Sequence, residues 1–401
     1  MPVVSITILR RYLLVVLLQC FAILLALVQS LNGVRTDEAK YLLNIPYPHP
    51  PLLRFLMGNT EAFPFQELFW RLLFATLLVQ AVWIVADLGR SLATEKRVTL
   101  CLLWLTAGSL LFQAGTVMMA PITALQGLIV VWFFLKSKKL DAGSSQLAGV
   151  ALFWLASLFT AYQAVLYAPV VWGIFRRNGC SSSRASVITV VPIALLLLYV
   201  AGNPLAISSF ISAGGQNAGS SYEGITGSIV VAWLTAGSGI LSVLGTYGAL
   251  RSGRKELFIS VLLLFTFLLV SFRAYYAVLF LPLFIAGVAA HPAVLQKSHL
   301  VAAAQLCCAV LLLAQTPLSI GSSPARHVMQ RINDLPGTGV VLIHGSFGHE
   351  WQYESRIPIL RYRSALLSKS KAVVCLERCP EVARYGFYQI ANMGEEVWIR
   401  R

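Results

Sequence analysis

Charge is what this sequence has least of. Only 12% of its 401 residues are Asp, Glu, Lys or Arg, while 57% are hydrophobic; an average soluble domain is about 25% charged. That balance excludes a soluble globular enzyme. Acidic residues are scarcer still, 16 against 31 basic, for a formal charge of +15. The basic residues recur in small groups between apolar segments rather than clustering on one soluble face, which argues against nucleic acid as a partner. No Asn-x-Ser/Thr sequon occurs, which favours a bacterial envelope over a eukaryotic secretory membrane. No G-x-S-x-G elbow accompanies the V-V-L-I-H-G run at 340–345, so that run does not belong to an α/β-hydrolase. Internal repeats and low-complexity tracts are absent, as are the paired halves that mark many transporters.

What is present is a series of apolar segments of the length a helix needs to cross a hydrocarbon layer about 30 Å thick. They fall at 12–31, 66–88, 98–114, 117–135, 147–161, 163–175, 186–202, 226–250, 256–271, 275–290 and 299–316. The sequence therefore predicts an all-α polytopic membrane protein with about 11 transmembrane helices. The junctions near Gly115 and Tyr162 are the doubtful ones, because each pair there also reads as a single long helix. With the N-terminus inside, fifteen basic residues between Arg10 and Lys297 lie on the cytoplasmic side. The alternating inter-helix loops on the other side hold only Arg35, Lys40, Arg54, Arg71 and Arg273, in agreement with the positive-inside rule. Fusing either doubtful pair would break that agreement. Residues 1–319 are thus expected to form a membrane domain in the cytoplasmic (inner) membrane, with a first outside loop at 32–65. The first segment is read as an anchor rather than a signal peptide, because it is long and has no convincing small-residue cleavage site.

The last 82 residues hold 18 of the 47 charged groups. Strand-like runs at 339–343, 371–376 and 396–399, separated by polar and proline-bearing stretches, predict a small extracytoplasmic α/β domain over 320–401. Five of the seven cysteines sit in or beside apolar segments, where they read as packing. Cys375 and Cys379, in C-L-E-R-C, have the option of a disulfide across a turn in an oxidising compartment. The segment 214–224, G-G-Q-N-A-G-S-S-Y-E-G, reads as a flexible outside loop.

The most informative stretch is residues 35–58, R-T-D-E-A-K-Y-L-L-N-I-P-Y-P-H-P-P-L-L-R-F-L-M-G. Thr36 is placed to cap a short helix with Asp37 and Glu38 in its first turn. Ala39, Leu42 and Leu43 would form an apolar stripe, and Pro46 would end the helix. Such a helix lies on the membrane surface and holds two carboxylates at the water boundary. Two roles fit the acids: chemistry, or support of the helix dipole, worth about 0.3–1 kcal/mol.

Asp37-Glu38 followed by Y-P-H-P-P-L at 47–52 resembles the first outside loop of protein O-mannosyltransferases and their bacterial relatives, in the GT-C class of lipid-phosphosugar-dependent glycosyltransferases. The likeness continues through Glu67 and Arg71, through L-F-T-A-Y-Q-A-V-L-Y-A-P at 158–169, and through S-F-R-A-Y-Y-A-V-L-F-L-P-L at 271–283. It covers roughly the first 290 residues, most strongly at the loop. Two positions depart from the family pattern. The fifth segment reads Thr160-Ala161-Tyr162 where many relatives have Thr-Lys-Tyr, and 118–121 read M-M-A-P where many have an acid.

The resemblance implies transfer of a monosaccharide from a polyprenyl-phosphate carrier to a glycan, lipid or protein acceptor on the outer face, with inversion at the sugar carbon. Asp37 matches the family's catalytic aspartate and would be the general base, with Glu38 beside it as the second catalytic acid. His49, Arg71, Tyr162, Arg273, Tyr275 and Tyr276 are the candidate substrate-binding residues. Arg273 offers a planar fork of donors to a lipid phosphate, or else serves as an interfacial anchor. His49 has no partner at ligand spacing, so a loop-fixing hydrogen bond is its alternative role. No residue is assigned to a metal, and no cofactor is required; a divalent cation has no ligand set to support it. The competing functions are a flippase or transporter of lipid-linked sugar and a catalytically reduced assembly partner. The topology is tested by labelling single cysteines at Ser137 and Ser322 on a cysteine-free background: Ser137 is expected inside and Ser322 outside. Labelling of both from one side would overturn the eleven-crossing arrangement.

Overall fold

The computed structural model describes residues 6–45, 49–60, 62–136, 145–205, 207–208, 238–270, 274–315, 323–336, 339–378, 382–390 and 396–400; the side chains of 6–11, 268–270, 274, 275 and 315 are not described. The N-terminal four fifths is helical. Helix α1 (Ile6–Leu31) is followed by two short helices, α2 (Thr36–Leu42) and α3 (Pro51–Gly58). Then come α4 (Gln66–Gln80), α5 (Val82–Leu88), α6 (Thr94–Leu105), α7 (Gly108–Gln113), α8 (Met119–Lys136), α9 (Ser145–Thr160), α10 (Ala168–Arg177) and α11 (Ser182–Ala201). The remaining helices of this part are α12 (Ile240–Arg251), α13 (Lys255–Val270), α14 (Leu281–Ala290) and α15 (Ser298–Gln315).

Four stretches among the described residues are helices long and apolar enough to cross a membrane: Tyr12–Leu31, Gln66–Leu88, Met119–Lys136 and Ser182–Ala201. Ser145–Thr160, Tyr276–Ala290 and Ser298–Ala314 are shorter apolar helices. The chain is therefore a multi-pass membrane protein, and four of the about eleven expected crossings are matched by helices of spanning length among the described residues. Several expected segments are broken. The run 98–114 divides at Thr106 and Ala107 into α6 and α7, and the Thr106 hydroxyl donates to Leu102 O at 2.6 Å. The runs 163–175 and 275–290 begin as 3-10 helix, Tyr162–Tyr167 and Ala274–Phe280, before α10 and α14. Pro169 and Pro282 stand in the first turns of those α-helices. A proline has no N–H to give to the carbonyl four residues earlier and its fixed φ suits a first turn, so these α-helices start at their prolines, whereas Pro192 is accommodated inside α11. The chain is likewise not helical at Gly115 and Ala161, which keeps each doubtful pair apart. Most of 226–250, and all of 214–224, lie outside the described residues.

The bundle closes most tightly where α12 crosses α14. A Cβ on Gly287 would lie 2.0 Å from Gly245 O, and one on Gly248 would lie 2.4 Å from Gly287 O. Small residues let two apolar helices bring their backbones into contact, where dispersion replaces the hydrophobic drive that lipid does not supply.

After α15 the chain forms a small α/β unit: α16 (Pro324–Asn333), β1 (Val340–His344), α17 (His349–Glu354), β2 (Ile359–Arg361), β3 (Ser370–Cys375), β4 (Phe387–Ile390) and β5 (Glu396–Arg400). The sheet order is β2-β1-β3-β5-β4. Strand β1 pairs in parallel with β2 and β3, and β5 pairs antiparallel with β3 and β4. The three expected strands correspond to β1, β3 and β5. The edge strands β2 and β4 were not anticipated; at three and four residues they carry too little alternation to read. Helices α16 and α17 cover one face, burying Val328, Met329, Ile332 and Trp351 against Val341, Ile343 and Val374. Cys375 is disulfide-bonded, and Cys20, Cys101, Cys180, Cys307 and Cys308 are free; the remaining cysteine, Cys379, lies outside the described residues.

The α12–α14 crossing makes a stability prediction. Gly287→Ala is expected to destabilise the protein by about 1–3 kcal/mol through overpacking. Gly149→Ala, where an added methyl meets nothing within 4 Å, is expected to be neutral or slightly stabilising. Thermal unfolding in detergent separates the two.

Candidate functional site

The site forms where the short helices α2 and α3 meet α4 and the α/β unit. Thr36 is the first residue of α2 rather than its cap; Arg35 holds the cap position, and its N–H donates to Glu38 Oε2 at 2.9 Å. The Thr36 hydroxyl is thereby released for another use and donates to Glu350 Oε2 on α17. The expected apolar stripe is present in Ala39 and Leu42, which are buried. The helix ends at Leu42, and Asn44 turns the chain with φ +50. Its end thus precedes Pro46, which lies outside the described residues.

Adjacent acids have opposite surroundings. Glu38 is 1% exposed, and Arg71 donates to its Oε1 at 2.9 Å and its Oε2 at 3.1 Å. The Val117 N–H donates to Oε1 at 2.8 Å. With the Arg35 N–H, four donors occupy the four lone-pair positions of this carboxylate. Arg71, also 1% exposed, further donates to Glu67 Oε1 at 2.7 Å, Gly115 O at 2.9 Å and Gly33 O at 3.0 Å. Glu67 Oε2 accepts from Arg326 of α16, and Arg326 Nε donates to Glu354 Oε1 at 2.9 Å. Five charged groups of alternating sign thus run from α2 through α4 into the α/β unit. Burial raises the carboxyl of Glu354, against the pull of Arg326. Burial also opposes the charge of Arg326, but Glu67 and Glu354 together raise its pKa above the usual arginine value.

Asp37 lies outside this chain of charges. Its side chain is 33% exposed, and its Oδ1 accepts from Lys40 Nζ at 3.0 Å. Lys40 and Tyr41 line a small cleft together with His49, Pro50 and Arg54. The His49 ring lies 5.7 Å from that of Tyr162. Burial lowers the His49 pKa to about 4, so the imidazole is neutral at pH 7. Arg54 Nε is buried and donates no hydrogen bond among the described residues. Below Tyr162, Gln126 Nε2 donates to Thr160 Oγ1 at 3.0 Å, which ties α8 to the end of α9.

Of the residues singled out from the sequence, Asp37, His49 and Tyr162 gather around the cleft, while Glu38 and Arg71 pair with each other beneath it. Tyr276 is buried against Phe267, with ring centroids 5.3 Å apart. Arg273 and the Tyr275 side chain lie outside the described residues. Among the described residues no group of three His, Cys, Asp or Glu could hold a metal ion. Sequence reasoning read Glu350, with His344 and His349, as a loop residue or an acceptor or metal contact, and it missed Arg326, which meets α4 from 259 residues away, and Glu354, which pairs with Arg326. A partial signal existed in Glu67 and Arg71, an i,i+4 pair inside an apolar segment. A buried acid there calls for more than one cation.

Apolar helices with two short helices at one end, joined to an α/β unit, make up a fold that solved structures share. The chain is similar to ArnT from Cupriavidus metallidurans bound to undecaprenyl phosphate, with a TM-score of 0.60, 14% identity and coverage of 96% of this chain and 97% of that one. The apo state of ArnT gives a TM-score of 0.61, 14% identity and coverage of 97% and 98%. The oligosaccharyltransferase of Archaeoglobus fulgidus, in complex with zinc and sulfate, gives 0.49 at 14% identity over 89% of this chain and 67% of its own. No protein-family model and no curated protein sequence matches the chain, so the likeness is one of fold.

The contrast between the two acids is testable without an activity assay. Glu38→Ala and Arg71→Ala each leave a buried charge uncompensated and are expected to cost about 3–5 kcal/mol. Lys40→Ala removes the partly exposed pair with Asp37 and is expected to cost less than about 1 kcal/mol. Thermal unfolding of the three variants in one detergent gives the ranking; equal losses would contradict it.

Proposed function

We propose that the chain is a glycosyltransferase of the cytoplasmic membrane that moves a monosaccharide from a polyprenyl-phosphate carrier to an acceptor on the outer face, with Asp37 as general base. The observation that carries this reading is the accessible Asp37 carboxylate, held on a fixed helix beside a cleft that also contains Lys40 and Arg54. The ArnT complex with undecaprenyl phosphate, a similar fold, supports a carrier of that type as donor. In the reaction, Asp37 takes the proton of an acceptor hydroxyl as its oxygen attacks the sugar carbon. The bond from that carbon to the phosphate oxygen breaks, and the polyprenyl phosphate leaves. A cation is needed where charge develops on the departing phosphate. His49 is neutral and does not supply it; Arg54, with an unspent buried donor, is assigned that contact, and Arg273 is retained as a second one. Tyr162 backs His49 as the wall of the cleft. Glu38 and Arg71 keep the loop in place instead of touching substrate. Residues 1–319 carry the reaction, and residues 320–401 lie on the same outer side as the loop at 32–65.

Asp37→Asn keeps the size of the side chain but removes its basicity. Turnover is expected to fall by roughly 10² to 10⁴, with donor affinity little changed. Arg54→Ala is expected to weaken donor binding about tenfold or more, as loss of a hydrogen bond to a charged group would. Release of label from radiolabelled polyprenyl phosphosugars, measured with purified protein, checks both. Near-normal turnover in Asp37→Asn would remove the base assignment and favour a lipid-sugar carrier.

A further inference from the structure

The α/β unit grips the chain just ahead of Asp37. Ahead of α2, the Ser323 N–H donates to Asn32 O at 3.1 Å, Arg326 NH1 donates to Ser30 O at 2.5 Å, and a Cβ on Gly33 would meet Ser323 Oγ at 2.9 Å. At the start of α2, the Thr36 hydroxyl donates to Glu350. Gly348 makes that contact sterically feasible: a Cβ there would lie 2.3 Å from Thr36 Oγ1 and 2.7 Å from Thr36 Cγ2. Its φ of −100 is open to any residue, so the close approach, not the backbone conformation, requires glycine.

The side chain of Asp37 is a third exposed. Its ion pair with Lys40 is partly exposed, and such pairs stabilise by about 0–1 kcal/mol. Buried Glu38 fixes the inner side of α2, but the outer side of its first turn is fastened at Thr36, the residue before Asp37. A hydroxyl donating to a carboxylate makes a charge-assisted bond, stronger and more directional than a neutral one.

We infer that Glu350 is a positioning residue for Asp37: through Thr36 it sets the first turn of α2, so the transfer site is complete only with the α/β unit seated. The inference rests on Asp37 being the base. A displacement of about 1 Å at a reacting group costs up to about a hundredfold in rate, and the Glu350 carboxylate is engaged by Thr36. Its loss therefore acts on turnover and leaves donor binding alone.

The test uses the full-length protein in lipid nanodiscs, with a radiolabelled polyprenyl phosphosugar as the probe. Glu350→Ala is expected to lower kcat about ten- to a hundredfold with KM for the donor within about twofold. Glu350→Gln, whose amide oxygen still accepts from Thr36, is expected to restore most of the turnover. Thr36→Val is expected to match Glu350→Ala, and the double variant to be no worse than either, since both remove one contact. Hydrogen exchange over residues 36–42 is expected to quicken in Glu350→Ala. Unchanged kcat in Glu350→Ala, while Asp37→Asn is inactive, overturns the inference and leaves the function reading standing, whatever the exchange shows. Equal loss in Glu350→Ala and Glu350→Gln also overturns it. Absence of transfer by the unaltered protein defeats the function reading, and this assignment with it.

Discussion

The structure depends on one interaction above others, the buried run of alternating charges Glu38–Arg71–Glu67–Arg326–Glu354. A lone ion moved from water into such surroundings loses several kcal/mol of solvation, so each member requires its neighbours. Three carboxylates against two guanidinium groups leave an excess of negative charge. Peptide N–H groups make up the difference: Arg35 and Val117 donate to Glu38, and Val34 donates to Glu354. Because the members come from α2, α4, α16 and α17, satisfying the charges also fixes the relation of those helices. Burial by itself is indifferent to orientation. The guanidinium fork of Arg71, engaged at once by Glu38, Glu67, Gly33 and Gly115, is not.

How much of this was legible beforehand follows from range. Helix α2, its two acids and the histidine-proline segment are local features, and the sequence pattern located them within a residue or two. The misplacement of the cap at Thr36 came from reading a local preference without its competitor, since a hydroxyl that can cap its own helix can equally bind a carboxylate elsewhere. The three longer strands were visible as runs of β-branched residues, whereas Ile359–Arg361 becomes a strand only because β1 lies beside it. Helix interruptions at Pro169 and Pro282 were readable in principle, because a missing N–H is a property of the residue. The glycine contact between α12 and α14 was not, since a glycine in a list does not say which backbone approaches it. The GT-C class resemblance rested on the loop, and the fold agrees with it, although only 14% of residues are shared with ArnT.

From sequence alone the tail reads as a small α/β domain after the last apolar helix, and its contacts tie it to the membrane part. Both of its helices direct side chains into the membrane part: Arg326 from α16 reaches Glu67 and Ser30, and Glu350 from α17 reaches Thr36. The sheet supports those helices on the face that holds Val341, Ile343 and Val374, so its packing is what keeps Arg326 and Glu350 in reach of α2. The same α16 uses Ser323 twice, as its own cap through the Arg326 N–H and as a donor to Asn32.

The difference between the two acids of α2 follows from helix geometry. Successive residues on an α-helix point about 100° apart. Once Glu38 is turned inward to meet Arg71, Asp37 cannot share that environment and must face the cleft side, where it remains a third exposed. Ala39 and Leu42 commit the same face of the helix to the apolar interior. The carboxylate available for chemistry is thus defined by what its neighbour must do. A buried ion pair that looks like a structural necessity is also what keeps the Asp37 carboxylate accessible at a constant place.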